Sequence, residues 1–299
     1  MNEHTSSDPV LPSVSGSTDV YLIVGDPVEQ VKAPESFNRI FARFGIDAVL
    51  VPARVAAQDL EAFVRAVFKA PNVRGLWVTI PHKAALAALC GTCDALGRIA
   101  GAVNAVRRND DGSLAGALFD GAGFAASLDH FGIAWRGRNA LVIGAGGAGA
   151  AIGASLAIGP DAAASLAFYD VAPQQAHALA ARLREHAAAR VEAVDSNDPV
   201  GYDLVIHASP LGLAADDPLP CDVARMAPHA ALVDILMKNQ PTPLVRAARA
   251  RGLVAQPGFE RMIQQAPLYL EFFGFHAAAR AVREDSDFLR ELLVPAACA

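Results

Sequence analysis

A glycine cluster at residues 144–149 directly follows an apolar run. Residues 141–143 are predicted to form a buried strand, and Gly144, Gly146 and Gly149 have G-x-G-x-x-G spacing where that strand would turn into a helix. This spacing suits a dinucleotide because the first glycine permits a tight turn, the second lets the backbone approach a pyrophosphate, and the third lets helix and strand pack closely. The free N–H groups of the helix would face the phosphates. A tight strand-to-helix turn in an Ala- and Gly-rich chain is the alternative explanation.

An acidic residue follows about 20 positions after the last of these glycines. Asp170 lies at the end of a second apolar run, 165–171, where a carboxylate can accept hydrogen bonds from the hydroxyl groups of an adenosine ribose. The stretch 169–173 contains no arginine to receive a 2′-phosphate. We therefore predict that the chain binds a nicotinamide dinucleotide and prefers NAD over NADP, with NADP as a possible second cofactor.

Lys83 and Asp120 are the residues best suited to proton transfer. An enzyme that moves hydride between a nicotinamide and an alcohol needs a group that takes or gives the hydroxyl proton. Lys83 lies just past a predicted strand at 75–80, at the strand end where α/β sheets place ligands. A lysine sheltered beside a carboxylate can act as general acid–base, and Asp120 is the carboxylate we pair with it. Taken alone, each is more often a solvated surface charge, and neighbouring His82 is predicted to be a bystander on another face.

Strands and helices alternate along the chain, which predicts an α/β fold. The first half contains predicted strands at 20–24, 48–51 and 75–80, separated by amphipathic helices, and we expect a largely parallel sheet there. The second half repeats the alternation from the glycine cluster to residue 256, which predicts a Rossmann-type, doubly wound dinucleotide-binding domain.

The predicted domain organisation follows from these elements. We expect a disordered tail at 1–18, a substrate-binding and catalytic domain at 19–123, and an NAD(P)-binding domain at 124–263. The joint is predicted near 121–123, just before a helix around residues 125–130. The helical residues 264–293 fall outside the nucleotide domain and are expected to return to the first domain.

Composition excludes several classes of protein. The chain has 299 residues, 53% hydrophobic and 19% charged, which is typical of an ordinary globular protein. A net charge of -6 without a basic stripe argues against nucleic-acid binding. No apolar run is long enough to span a bilayer and the first residues do not form a signal peptide, so we expect a cytoplasmic monomer or homodimer that binds small molecules.

The four cysteines, Cys90, Cys93, Cys221 and Cys298, are too scattered for a disulfide framework. Cys90 and Cys93 have C-x-x-C spacing, but no second pair completes a zinc site. We therefore predict structural thiols and no metal.

Several short motifs follow one another in the order found in the shikimate/quinate dehydrogenase family. They are Gly25-x-Pro27-Val28 with Pro34 and Asn38 further along, Val78-Thr79-x-Pro81-x-Lys83, Gly101-Ala-Val-Asn104, Asp120-x-x-Gly123, Ala208-Ser-Pro-Leu-Gly212, Asp234 with Thr242-Pro243-Leu244, and Gln265 seven residues after Gly258. The chain resembles this family over residues 20 to 290, and the resemblance implies an NAD(P)-dependent dehydrogenase acting on a ring alcohol.

The resemblance also implies roles for single residues. Lys83 and Asp120 would be the catalytic pair, while Thr79, Asn104 and Gln265 would position the substrate hydroxyls. Together with the glycine loop, it implies cofactor contacts at Gly144, Gly146, Gly147, Ala148, Gly149, Asp170, Ser209, Pro210, Leu211 and Gly258.

The residues that depart from the family pattern lie at one end of the expected pocket. Where shikimate-using members carry Ser-x-Ser, this chain has Val31-Lys32-Ala33, and Met237 replaces an assisting tyrosine. Trp77, Leu118-Phe119 and His207 replace further polar residues of the family. We therefore expect shikimate to be a poor substrate, with Lys32 as the one nearby group that could hold its carboxylate. The native substrate would carry a smaller, neutral or differently placed group there.

Two hypotheses follow for the function. The first is a dehydrogenase that transfers hydride between NAD(P) and a secondary alcohol or ketone on a small polyhydroxylated ring. The second is a sensor or regulatory protein with the same fold, a bound dinucleotide and little turnover. The presence of both Lys83 and Asp120 favours the enzyme, because a sensor has no need of a proton relay.

Overall fold

A computed structural model describes residues 14–214, 216–295 and 298. In this part of the chain the strands form two six-stranded sheets, one from the first half of the sequence and one from the second. The α/β architecture predicted from the alternation of strands and helices is confirmed.

The first sheet has the strand order β2-β1-β3-β5-β6-β4. Its elements are β1 Asp19–Gly25, α1 Ala33–Arg43, β2 Ala48–Arg54, α2 Leu60–Val67, β3 Val73–Val78, α3 Lys83–Leu89, β4 Thr92–Cys93, α4 Ala95–Ala100, β5 Ala105–Arg108 and β6 Leu114–Ala117. Strand β1 is parallel to β2 and β3, but β5 is antiparallel to β3 and β6. Strand β4 is parallel to β6, so three of the five pairings are parallel and two are antiparallel, and the sheet expected to be largely parallel is mixed. The tight turn at residues 109–112, with Gly112 at a φ of +84°, accounts for the antiparallel pairing of β5 with β6.

The second sheet has the order β12-β11-β10-β7-β8-β9, with all strands parallel. Its elements are α5 Asp120–His130, β7 Asn139–Ile143, α6 Gly147–Ala157, β8 Ser165–Tyr169, α7 Pro173–Arg184, β9 Arg190–Ala193, β10 Leu204–His207, β11 Ala231–Asp234, α8 Pro243–Ala250 and β12 Val254–Pro257. The order reverses between β7 and β10, which is the switch point where doubly wound sheets bind ligands. The predicted Rossmann-type fold is thus confirmed.

Three helices complete the chain: α9 Phe259–Phe272, α10 His276–Glu284 and α11 Asp287–Leu293. Their buried side chains share one core with strand β1 and helix α1 of the first sheet, including Tyr21 and Phe37. Helix α9 also packs against α5. The C-terminal helices therefore lie against the first sheet and bring their own side chains to it.

Two expectations about segment boundaries are wrong. Thr18, assigned to a disordered tail, is buried, and its hydroxyl donates to Asp47 at 2.7 Å. Residues 1–13 of that tail lie outside the described residues. The helix expected around residues 125–130 instead begins at Asp120, so Gly121 and Gly123 lie inside α5. They permit close packing there: a Cβ at Gly121 would lie 1.9 Å from the carbonyl oxygen of Ala151.

Candidate active site

The predicted catalytic and substrate-binding residues line one cavity. It has a volume of about 200 Å³, which suits a small ring compound, and its wall includes Lys32, Thr79, Lys83, Asn104, Asp120 and Gln265. Residues from both halves of the chain contribute, since Met237 follows strand β11 of the second sheet. The structure thus brings together residues that are up to about 230 positions apart in the sequence.

Lys83 and Asp120 form an ion pair inside this cavity. Lys83 is the first residue of α3, just beyond β3, and Asp120 is the first residue of α5, so two helix starts hold the pair. Burial alone would raise the pKa of Asp120, but the positive charges of Lys83 and Arg261 outweigh it and hold that pKa below its usual range. The pair therefore combines an ionised carboxylate with an amine in a site largely closed to water.

Arg261 was not found by sequence reasoning. Its Nη1 donates to Asp120 Oδ1 at 2.9 Å, while Lys83 contacts Oδ2 of the same carboxylate. Arg261 lies on α9, four residues before Gln265, and the two therefore share a helix face. That spacing was the available signal, because a residue one turn from a substrate-binding residue faces the same cavity.

Asn104 and Gln265 are buried beside the ion pair. The Oδ1 atom of Asn104 accepts a hydrogen bond from the Phe119 backbone N–H at 2.9 Å, and the Tyr269 hydroxyl donates to the Asn104 carbonyl at 3.2 Å. Among the described residues, Nε2 of Gln265 has no hydrogen-bond partner, and Nδ2 of Asn104 has none of normal geometry, although the Asn104 side chain helps to lower the pKa of Asp120. Buried donors without acceptors are costly, so these two amides are suited to oxygen atoms of a ligand.

Val31, Ala33 and Met237, the positions that lack the family's hydroxyl groups, all line the same cavity. Lys32 also reaches its wall, but its Nζ pairs with Glu35 at 3.1 Å and both side chains are about half exposed. Gln30 and Ser36 line this end as well, but their side chains donate to the Pro27 and Lys32 carbonyl oxygens, each at 3.0 Å. This end of the cavity therefore combines apolar surface with polar groups that already have partners.

Aromatic packing replaces polar residues along β3. Trp77 stacks on Tyr269 at 5.1 Å and on Phe273 at 4.4 Å between ring centroids, and its indole Nε1 has no hydrogen-bond partner in the described part of the chain. Phe119 packs edge-on against Tyr269 at 5.0 Å. Through these aromatic contacts, the cavity wall is continuous with the core that α9 shares with the first sheet.

A second cavity lies at the switch point of the second sheet. Its wall includes Gly144, Gly146, Asp170, Ser209, Pro210 and Leu211. The glycine loop fits a dinucleotide: Gly144 has a φ of +112°, a Cβ on Gly149 would lie 2.0 Å from the Gly144 carbonyl oxygen, and nothing lies within 4 Å of a Cβ on Gly146. Gly147, Ala148 and Gly149 form the first turn of α6, whose N–H groups are available for phosphate.

Asp170 is fixed at the rim of this second cavity. Its Oδ2 accepts from the Ala145 backbone N–H at 2.8 Å and its Oδ1 from that of Ala172 at 2.9 Å. The described residues that line the cavity include Asp170 and Asp217 but no lysine or arginine. A phosphate on the ribose would therefore meet negative charge without a cation to offset it.

The Ser209 hydroxyl is held by a buried histidine. His207 Nε2 lies 2.7 Å from Ser209 Oγ, and its Nδ1 lies 2.9 Å from Asp234 Oδ1. Asp234 Oδ2 accepts from Thr242 Oγ1 at 2.6 Å, so the carboxylate holds both the imidazole and the threonine hydroxyl in place. The Ser209 hydroxyl is therefore fixed at the wall of the second cavity.

Three further kinds of residue singled out in the sequence, a glycine, a histidine and two cysteines, lie outside the two cavities. Gly258 lines neither cavity; a Cβ there would lie 2.6 Å from Ile235 Cα, so its role is close packing. His82 is buried with Nε2 2.7 Å from the Val55 carbonyl oxygen. Burial raises the pKa of the Cys90 thiol to about 12, and it also raises the pKa of Cys93, as expected of structural thiols.

The described residues contain neither a cluster of metal ligands nor a membrane-spanning helix. No group of three or more histidine, cysteine or acidic residues is arranged to hold a metal ion. No helix in this part of the chain is both long and apolar enough to cross a bilayer.

Comparison with known proteins identifies the family. Residues 23–106 match the shikimate dehydrogenase substrate binding domain. A protein of Rubrobacter xylanophilus named shikimate dehydrogenase (NADP(+)) is 37% identical over 260 residues, which cover 85% of this chain and 90% of that protein. The chain belongs to the shikimate dehydrogenase family.

Two further matches agree with this assignment. A shikimate dehydrogenase (NADP(+)) of Acidiphilium cryptum is 37% identical over 87% of this chain and 92% of its own length. The crystal structure of shikimate 5-dehydrogenase from Listeria monocytogenes, in complex with shikimate and NAD, superposes with a TM-score of 0.81. It is 22% identical and the match covers 91% of this chain and 97% of that one, so it supports the fold.

Proposed function

We propose that this family member is an NAD(P)-dependent dehydrogenase that transfers hydride between the nicotinamide and a secondary alcohol or ketone on a small polyhydroxylated ring, of the shikimate or quinate type. The observation that carries the proposal is the Lys83–Asp120 ion pair in one cavity with Thr79, Asn104 and Gln265. The names of the relatives, shikimate dehydrogenase, support the same reaction class.

In the proposed reaction the cofactor and each of these residues have separate roles. When bound, the nicotinamide supplies or accepts the hydride. In alcohol oxidation Lys83 Nζ takes the proton of the reacting hydroxyl, and in ketone reduction it returns that proton. Asp120 holds the amine in place, while the free amide donors of Asn104 and Gln265 bind ring oxygens. The low exposure of the pair keeps competing water away from the proton transfer.

The far end of the cavity distinguishes this chain from a shikimate-specific enzyme. Val31, Ala33 and Met237 offer no hydroxyl to a carboxylate, and Lys32 already pairs with Glu35. A carboxylate moved from water to that end would lose hydrogen bonds at a cost of ~1–3 kcal/mol for each unmet partner. The proposed substrate therefore keeps adjacent ring hydroxyls and carries a smaller, neutral or differently placed group at this end.

For the cofactor we propose a preference for NAD. The fixed Asp170 carboxylate and a cavity wall without cations among the described residues support NAD. The names of the two relatives specify NADP(+) instead, so the preference is an expected difference between this chain and those proteins. Cytoplasmic localisation, the monomer or homodimer state and the division into domains remain predictions.

Isotope transfer tests the proposed reaction. The ketones derived from shikimate and quinate would be incubated with NADH deuterated at C4 and the products examined by mass spectrometry. Deuterium on the carbinol carbon supports hydride transfer, and a Lys83→Ala enzyme should lose most of it. A chain that binds NADH tightly yet transfers no deuterium to any ring ketone would instead be a sensor.

A further inference from the structure

Arg261 is the single arginine among the described residues that line the substrate cavity. Its Nη1 donates to Asp120 Oδ1 at 2.9 Å, and Lys83 occupies the other carboxylate oxygen. Asp120 is also the only hydrogen-bond acceptor of the Arg261 guanidinium within the described ranges, since its Nε is buried without a partner. One carboxylate thus bridges two cations, and the group carries a net charge of +1.

Helix packing sets the position of Arg261. Helices α5 and α9 approach so closely that a Cβ on Gly123 would lie 2.7 Å from the Arg261 carbonyl oxygen. The side chains of Arg261 and Asp120 are only 15% and 9% exposed, so water screens their charges little. The arginine is therefore a fixed part of the surroundings of Asp120.

We propose that Arg261 is a positioning residue of the reaction: it holds Asp120 by the oxygen that Lys83 does not use and, as a second cation on that carboxylate, eases release of the proton from Lys83. This inference rests on the proposed function, because it assigns Arg261 a part in the same proton relay. A like charge nearby disfavours the charged form of a group, whereas Asp120 facing Lys83 alone would favour the ammonium.

Few other groups affect the charge at this point. Lys32, from the start of α1, pairs with Glu35 near the surface. Tyr269, from α9, donates its hydroxyl to the Asn104 carbonyl, and burial, followed by the charge of Asp120, raises the pKa of Tyr269 well above its usual value. Arg261 is thus the cation best placed to offset Asp120.

The test compares three substitutions in the full chain. Arg261→Gln removes the charge, Arg261→Met removes it while keeping an apolar stem, and Arg261→Lys retains it. Arg290→Gln is the control, because it removes another arginine that pairs with α9, through Glu260 at 2.7 Å, outside the cavity. The pH dependence of kcat/KM for alcohol oxidation is measured for each, alongside thermal unfolding.

In both charge-removing variants the rise of kcat/KM with pH should move to higher pH by about 1 unit, the lower end of the effect of a nearby charge. The Arg261→Lys variant should stay close to the original profile, and Arg290→Gln should not move it. A uniform rate loss with a superimposable profile in Arg261→Gln and Arg261→Met would overturn the proposal and leave Arg261 a structural clamp between α5 and α9.

A measurement without turnover separates this proposal from the proposed function. Lysine labelled with ¹³C at the ε position gives an NMR signal for Lys83, assigned by its loss in Lys83→Arg. The titration of that signal in the unliganded protein should shift to higher pH in Arg261→Gln. No shift would overturn the inference even if the chain is a dehydrogenase. A shift in a chain that oxidises no ring alcohol would support the charge effect of Arg261 on Lys83 and overturn the proposed function.

Discussion

At the scale of single residues, the Lys83–Asp120 pair makes the strongest prediction. Lys83→Ala should lower kcat by roughly 10²–10⁴-fold, the usual contribution of general acid–base catalysis, with a smaller effect on cofactor affinity. Asp120→Asn should lower kcat by a similar factor. The double variant should lose far less than the product of the two separate losses, because the residues act as one unit. Steady-state kinetics of the purified variants measure all three values.

Near-normal kcat in Lys83→Ala would contradict this account and require another base. The nearby histidines are poorly placed to serve. His82 is 1% exposed and its Nε2 is held by the Val55 carbonyl, while His207 is fully enclosed between Asp234 and Ser209. Variants of these two histidines would then be the next to measure.

A second prediction concerns the end of the cavity formed by residues 31–33. Val31→Ser together with Ala33→Ser, with Met237→Tyr added if needed, should raise kcat/KM for shikimate mainly by lowering KM, because hydroxyl groups would again meet the carboxylate. The same variants should bring no gain with a neutral ring alcohol, which serves as the control. A micromolar KM for shikimate in the unmodified protein would contradict the interpretation that this end of the cavity no longer holds a carboxylate.

Sequence and structure differ most instructively at this scale. Lys83, Asp120, Asn104 and Gln265 could be placed in one site because they lie in recognisable motifs. Arg261 could not, since a lone arginine in a helix is usually a surface charge and only the packing of α9 on α5 shows that it meets Asp120. Likewise, sequence order could not show that Lys32 turns towards Glu35.

At the scale of secondary-structure elements, the loop between β8 and α7 carries the cofactor prediction. We expect a higher kcat/KM for NAD than for NADP, because a 2′-phosphate would face the Asp170 carboxylate. Asp170→Asn should narrow the difference by removing the negative charge, while Gln174→Ala, at an exposed position that does not line the cavity, serves as the control. A kcat/KM for NADP equal to or above that for NAD in the unmodified protein would show that the prediction is wrong.

The crossing of α5 and α6 gives a prediction about stability. Gly121→Ala should lower the free energy of unfolding by at least about 2 kcal/mol, because the added Cβ would overlap the Ala151 carbonyl and force the helices apart. Gly16→Ala, which adds a Cβ where nothing lies within 4 Å, should have little effect. Urea denaturation measures both, and equal stability of the two variants would contradict the close crossing.

The sequence predicted most elements but not all of their pairings. The apolar runs at 141–143 and 165–171 located β7 and β8 to within two residues, because buried strands of a doubly wound sheet appear as short apolar runs. Strand β4 has only two residues and carries no periodic signal. The antiparallel placement of β5 depends on long-range pairing with β3, which hydrophobic periodicity does not encode. Gly121 and Gly123, near which the domain joint is predicted, lie inside α5 and permit its close packing.

At the scale of the whole molecule, the site is assembled from three parts of the chain. The first sheet supplies Lys83, and α5 supplies Asp120 at the point where the chain enters the second sheet. Helix α9, which follows the second sheet, returns to the first and adds Arg261 and Gln265. The glycine loop, residues 144–149, follows β7 of the second sheet. A dehydrogenase needs this arrangement because hydride donor and acceptor must be held together.

The most direct test of this account is the oxidation of a panel of ring alcohols, including shikimate, quinate and uncharged polyols, followed by NADH or NADPH absorbance. We predict turnover of at least one polyhydroxylated ring, faster with NAD than with NADP, better for a compound with a small or neutral group than for shikimate, and largely abolished by Lys83→Ala. Absence of turnover across the panel, with both cofactors binding to the folded protein, would contradict the account and identify a dinucleotide-binding sensor.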